Sequence, residues 1–276
     1  MSRPDADAAP SSGDEHGRPD APLGRVLRIL ESFDQTHPAL TVPELAARTG
    51  LPSSSVYRIV RELIAYGLLE RAGDGMLRTT LRLWELGTRS APRLRLRSIA
   101  LPFMEDLRRI VQQHTQLSVL DGTDTVYLER LQASSGVRNI MSPAQRVPAR
   151  VTSSGLLLAA YLPPYRQTEI LGADVGEHWL VAEPPPGARV HEATIEELRR
   201  LTARFRRDNF ASLPGWITPD TAGISVPVRD RTGEVVAALS LILDNDPALI
   251  DSCLPALRAT GASISRFLGW DPPARG

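Results

Sequence analysis

Residues 40–80 read LTVPELAARTGLPSSSVYRIVRELIAYGLLERAGDGMLRTT, and the order of signals within them decides the fold of the N-terminal part. Thr41 has the side chain of a helix cap, and Glu44, three residues on, completes a capping box, with Pro43 tolerated in the first turn. That helix, residues 42–48, stops at Thr49-Gly50. Leu51-Pro52 leads to Ser53, expected to cap a third helix that ends near Tyr66-Gly67. Two short strands, 68–71 and 76–79, then flank a Gly73-Asp74-Gly75 turn, which is a hairpin signature. Helix, glycine-containing turn, helix and glycine-tipped hairpin make a winged helix-turn-helix.

The third helix separates into two faces. Val56, Ile59, Val60 and Leu63 repeat at i, i+3, i+4 and i+7 and must face a core. Ser54, Tyr57, Arg58 and Arg61 repeat the same spacing on the opposite side. Small hydroxyls at Ser53, Ser54 and Ser55 permit close approach to phosphate, where free helix N–H groups also point. Arg58 has the reach and the fork to read a guanine edge in the major groove. Arg71 and Arg78, on the hairpin, are placed to touch phosphates or the minor groove. Taken alone, such a helix also reads as a solvated surface. The sequence of elements and the local charge favour DNA. The chain has 32 cationic residues, every one of them Arg, against 32 acids. The 12 arginines and 7 acids of residues 23–97 leave +5 there, against −3 in residues 1–22 and −2 in the remainder.

Outward from this motif, residues 1–22 are rich in Pro, Asp, Ala, Ser and Gly and lack apolar periodicity, so they read as a disordered tail. Leu23, Val26, Leu27 and Leu30 make one stripe of a first helix, residues 23–33. The DNA-binding domain is therefore expected at 23–85, followed by a linker at 86–98 in which Pro92 breaks helical structure between segments 81–86 and 98–114. A second domain, 99–276, carries strands expected at 115–121, 124–131 and 137–142, then a helix at 152–161. Residues 163–190 are proline-punctuated and poorly patterned. An amphipathic helix at 195–207, a hairpin of strands 224–229 and 234–243, and a closing helix at 255–268 follow. Helices mixed with antiparallel hairpins imply an α+β class.

Several function classes are excluded or disfavoured. No run of 18 apolar residues offers a membrane span, and the N-terminus lacks the apolar stretch of a signal peptide. The single cysteine, Cys253, excludes an intrachain disulfide and a cysteine cluster for zinc, which suits a cytoplasmic protein. Ser153-Ser154-Gly155 is not a nucleophile elbow, and the five histidines are scattered without metal-ligand spacing. Asp121, Asp124 and Glu129 look like loop and strand-end carboxylates instead of an acid/base pair. The reading is not an enzyme, with no metal and no cofactor. The alternative to an operator-binding regulator is a winged-helix adaptor that binds another protein.

Three N-terminal segments, "GRVLRILESF" at 24–33, "LTVPELAARTGLPSSSVYRIVRELIAYGLLER" at 40–71 and "LRLWELG" at 81–87, resemble the IclR family of transcription regulators. So do "RVPARVTSSGLLLAAYLP" at 146–163, "FRRDNFA" at 205–211 and "GISVPVRDRTGEVVAALSLIL" at 223–243. The resemblance implies a C-terminal effector-binding domain similar to GAF folds, a small organic effector such as a carboxylate or aromatic acid, and binding of operator DNA as a homodimer or homotetramer. In such a fold the ligand sits between the sheet and the helices on one face. The expected lining is Leu117, Val119, Tyr127, Val137, Ile140, Ser142, Thr152, Ser153, Ser225 and Ser240, with Arg150 beside the helix start to pair a carboxylate. Thr152 and Arg150 also read as an ordinary cap and a surface arginine. The chain departs from the family's pattern at Arg150, commonly histidine, at Asn209, commonly glycine, and at Leu77 and Thr80, which stand for a tyrosine and a glycine after the wing turn. Gly215-Trp216-Ile217-Thr218 replaces a frequent acidic pair.

Overall fold

The computed structural model describes residues 21–34, 36–89, 92–133, 146–175 and 191–271. The chain divides into two compact units between residues 91 and 92.

The first unit begins with α1 (Pro22–Glu31), a two-residue strand β1 (Ala39–Leu40), α2 (Val42–Thr49) and α3 (Ser53–Ala65). Strands β2 (Leu69–Arg71) and β3 (Leu77–Thr79) and helix α4 (Leu81–Arg89) complete it. The capping box forms: the Thr41 hydroxyl accepts from Glu44 N, while Glu44 Oε2 accepts from Thr41 N at 2.7 Å. Gly50 ends α2 in the left-handed region at φ 67°, where a side chain would be strained. The third helix starts one residue differently from expectation. Its first carbonyl is that of Pro52, which receives Ser55 N and Val56 N, so Ser53 lies inside the helix and caps nothing with its side chain. The apolar stripe of α3 is fully buried against Ile29, Leu45, Leu69 and Leu77. The hairpin is the outer part of a three-stranded sheet ordered β1-β3-β2. Ala39–Leu40, its third strand, is too short to carry a pattern of its own.

The second unit starts with α5 (Pro92–Val111), then β4 (His114–Asp121), β5 (Asp124–Leu131), β6 (Arg146–Pro148) and a 3-10 turn at Ala149–Val151. Helices α6 (Ser153–Ala159), α7 (Pro164–Gly172) and α8 (Ile195–Asp208) follow. Strands β7 (Ala211–Pro214), β8 (Thr221–Arg229) and β9 (Val235–Asp244) and helix α9 (Pro247–Phe267) close the chain. Six antiparallel strands form one sheet ordered β6-β5-β4-β9-β8-β7. Helices α5 and α9 cover one face through Leu96, Ala100, Met104, Leu107, Ile250, Leu257 and Ile264. The other face carries α6 and α8, whose Leu156, Leu157, Leu198 and Phe205 form a second core.

Three helix expectations are corrected. Pro92 does not break α5 but opens it, because proline's missing N–H is no loss in a first turn. The helix also ends earlier than 114, at Val111, with Gln112 in the left-handed region at φ 54° turning the chain into β4. Pro255 likewise lies inside α9, which starts two turns earlier under the Asp246 side chain, an acceptor for Ala248 N at 2.9 Å. Helix α7 falls in the proline-punctuated stretch that shows no clear pattern, and β6 and β7 are additions to the expected strands. The strand expected at 137–142 lies outside the described residues. Among the described residues no helix is long and apolar enough to cross a membrane, and no group of three or more His, Cys, Asp or Glu could hold a metal.

Candidate nucleic-acid interface and effector cavity

The polar face of α3 is open to solvent. Ser53, Ser54, Tyr57, Arg58 and Arg61 are exposed and Ser55 is half-buried. Tyr57, Arg58 and Arg61 line one groove together with Arg71 of the hairpin, so α3 and the wing converge on a common, arginine-bearing surface. Val60 and Ile64 form its apolar floor. Arg58 is held to Glu62 at 3.2 Å, an exposed i, i+4 pair that a phosphate or guanine can replace at little cost. Arg71 donates to Gly75 O at 2.9 Å, and Arg78 pairs with Asp74 at 2.7 Å across the wing turn. Arg78 and the three serines stay outside the groove, although the serines occupy the first turn of α3.

The second site is a cavity of about 60 Å3 beneath α6, several times the roughly 10–15 Å3 that one water needs. Its wall comes from β4 (Gln116), β5 (Tyr127), the 3-10 turn and start of α6 (Val151 to Ser154), the β7–β8 loop (Trp216 to Thr218) and the strands at Leu213, Thr221, Gly223 and Ile242. The apolar part is both aliphatic (Val151, Leu213, Ile217, Ile242) and aromatic (Tyr127, Trp216), and among the described residues no acidic or basic side chain lines it.

Of the residues nominated from sequence, the cavity brings together Tyr127, Thr152 and Ser153. Ser225 lies one hydrogen bond behind Ser153 and Ser240 two. Ser153 Oγ meets Ser225 Oγ at 2.8 Å, and Ser225 Oγ meets Ser240 Oγ at 2.8 Å, a buried chain of three hydroxyls that fixes Ser153. Leu117 and Val119 are corrected: they point to the opposite face, into the core under α5 and α9. Residues on a strand alternate between faces, so Gln116 is on the cavity side and its neighbour Leu117 is not. Val137, Ile140 and Ser142 lie outside the described residues.

The anion site expected at the start of α6 is also corrected. Arg150 is occupied elsewhere, donating to Ala173 O at 2.9 Å and Ala193 O at 3.1 Å, and it does not line the cavity. The Thr152 hydroxyl serves as the cap, accepting from Gly155 N at 2.9 Å, and α6 is only seven residues long. Burial raises the Tyr127 phenol well above its ordinary pKa, partly offset by its hydrogen bond with Ser154, so it is a neutral hydroxyl. Gln116 and Trp216 are lining residues absent from the sequence-based expectation. A glutamine among the mostly uncharged residues of β4 is only a faint signal for the first. Trp216 sits in an irregular loop, held by His191 N donating to its carbonyl at 3.0 Å and by ring contact at 4.4 Å between centroids.

Elsewhere among the described residues, the exposed His37 Nδ1 meets Asp34 Oδ1 at 3.1 Å on the surface of the first unit. Asp121 is held below the usual carboxylate range, chiefly by Arg146 and also by Arg93, and Asp124 pairs with Arg146. Glu129 pairs with Arg97, and Cys253 is buried in the core under α9.

Comparison with known proteins gives matches over both units. A model of the IclR helix-turn-helix domain matches residues 22–73, and a model of the bacterial transcriptional regulator IclR C-terminal region matches residues 88–266. The chain is 28% identical over 243 residues to the HTH-type transcriptional regulator KipR of Bacillus subtilis, covering 84% of this chain and 91% of that one. It is 25% identical over 250 residues to the HTH-type transcriptional regulator XynR of Escherichia coli, covering 89% and 96%. Among solved structures, an IclR homologue from Microbacterium hydrocarbonoxydans in complex with 4-hydroxybenzoate is 37% identical, with a TM-score of 0.78 and coverage of 90% of this chain and 99% of that one.

Proposed function

Because the chain belongs to the IclR family of DNA-binding transcription regulators, which are not enzymes, we propose that α3 and the wing bind operator DNA and that a small aromatic acid in the cavity beneath α6 changes operator affinity. The cavity carries this reading: a chamber of aliphatic and aromatic side chains with a few neutral polar groups is the usual form of a small-molecule site. The relative that holds 4-hydroxybenzoate supports an aromatic acid as the ligand class. The effector acts only by as much as it prefers one arrangement of the protein over another, with about 1–3 kcal/mol a typical coupling.

The test is a mobility-shift titration on DNA flanking the protein's own gene, with and without 4-hydroxybenzoate. The expected outcome is saturable binding whose midpoint moves about five-fold or more with ligand, the lower end of the usual coupling range. A midpoint insensitive to 4-hydroxybenzoate and to other aromatic acids would sink the effector reading.

The functional unit is a homodimer at least, working in the cytoplasm where its operator lies. One winged helix touches only a few base pairs, so affinity and specificity call for two half-sites. Helix α4 supports pairing of the DNA-binding units, since Leu81, Trp84 and Leu86 are 68%, 64% and 48% exposed. Sedimentation at micromolar concentration should give a dimer or a tetramer, and a strictly monomeric profile would remove this element.

A further inference from the structure

Two buried N–H groups in the cavity wall, Gln116 Nε2 and Trp216 Nε1, have no hydrogen-bond partner among the described residues. Gln116 is only 1% exposed. Buried polar groups are almost always satisfied, so an orphaned pair in one wall marks a place where something else brings an acceptor. The hydroxyls around them are already engaged. Thr152 caps α6, Ser153 is bonded to Ser225, and Thr218 and Thr221 are bonded to each other. Ser154 is shared between Thr152 and the Tyr127 phenol. The arginine closest in sequence to the wall, Arg150, is committed to two backbone carbonyls.

We infer that the effector's polar end is an acceptor-only group, a carboxylate or a carbonyl oxygen, held by the Gln116 amide and the Trp216 indole in place of any cation. This rests on the reading of the cavity as the effector site and names the chemistry of that site. Two donors facing a chamber with no carboxylate among its described lining residues disfavour an ammonium, which has three donors and no acceptor. With no charged side chain among the described lining residues, affinity is expected to be nearly independent of salt. Trp216 is therefore a specificity-determining residue, and its loop is fixed from outside the cavity by His191.

The test is calorimetry on the full chain with 4-hydroxybenzoate, 4-hydroxybenzamide and 4-hydroxybenzylamine as probes. The variants are Trp216→Phe, Gln116→Leu, Gln116→Glu and the cavity-filling Ile242→Trp. The acid and the amide are expected to bind, and the amine is not. Trp216→Phe keeps the ring and loses the donor, so it should weaken the acid about tenfold, as should Gln116→Leu. Gln116→Glu replaces the donor with an anion of nearly the same shape and should weaken the acid further than Gln116→Leu does. Should Gln116→Leu fail to fold, Trp216→Phe carries the test alone. Unchanged affinity in both donor variants, or preferential binding of the amine, overturns the inference. If Ile242→Trp still abolishes binding in that case, the cavity reading stands without it. Wild-type affinity in Ile242→Trp, or no binding of any probe by the wild-type chain, overturns both.

Discussion

Replacing Gly155 with alanine is expected to destabilise the C-terminal unit by about 3 kcal/mol or more, the upper range for overpacking a tight site. A Cβ at this position would lie 2.2 Å from Ala149 O, 2.5 Å from Ala149 Cα and 2.5 Å from Thr125 Oγ1. Two of those atoms are backbone, in the 3-10 turn that leads into α6, so no rotamer change relieves the clash. Either α6 lifts from the sheet or the turn moves, and both open the cavity whose wall they share. Gly261→Ala is the informative contrast. There the added carbon meets Val226 Cγ2 at 2.7 Å, a side-chain atom on β8, with the nearest backbone at 3.5 Å. Its cost should be the smaller of the two. Urea unfolding followed by circular dichroism measures both, and a Gly155→Ala midpoint equal to the parent's would show that this helix is not seated as described.

The second large effect is on DNA. Arg58→Ala combined with Arg61→Ala should weaken operator binding by about 2–5 kcal/mol, if one arginine reads a base edge and the other a phosphate. The salt dependence of binding should fall in parallel, by about one unit of slope for each phosphate no longer neutralised. Stability should scarcely change, because the ion pair that Arg58 makes is an exposed helical one, worth about 0.3–0.5 kcal/mol at most. Fluorescence anisotropy over a salt series separates the outcomes. Operator affinity equal to the parent's would move the interface away from α3.

The DNA-binding unit is largely legible in the sequence because its signals are local and redundant. Thr41 and Glu44 define a helix start from four residues, and the stripe of Val56, Ile59, Val60 and Leu63 repeats over two turns. The cavity beneath α6 is legible only in part. Strand β4 is buried along most of its length because helices cover both faces of the sheet, so hydrophobicity cannot distinguish the cavity side from the core side. Leu117 and Val119 therefore suggest the wrong face, while Gln116, between buried neighbours, gives too little signal to stand out. Arg150 misleads for a different reason. An arginine next to a helix start suggests an anion, and nothing local reveals that two distant carbonyls claim it. Pro92 and Pro255 look like breakers, whereas the first position of a helix accepts proline and a long, well-packed helix accommodates it inside.

The Arg150 bridge has a bearing on how this scaffold tolerates change. One guanidinium binds the carbonyls of Ala173 and Ala193, so the two ends of the intervening stretch are tied side by side whatever its composition. Arg150→Met, which keeps the length of the side chain and loses the fork, is therefore expected to part those two carbonyls and lower the stability of the unit, as urea unfolding followed by circular dichroism would measure.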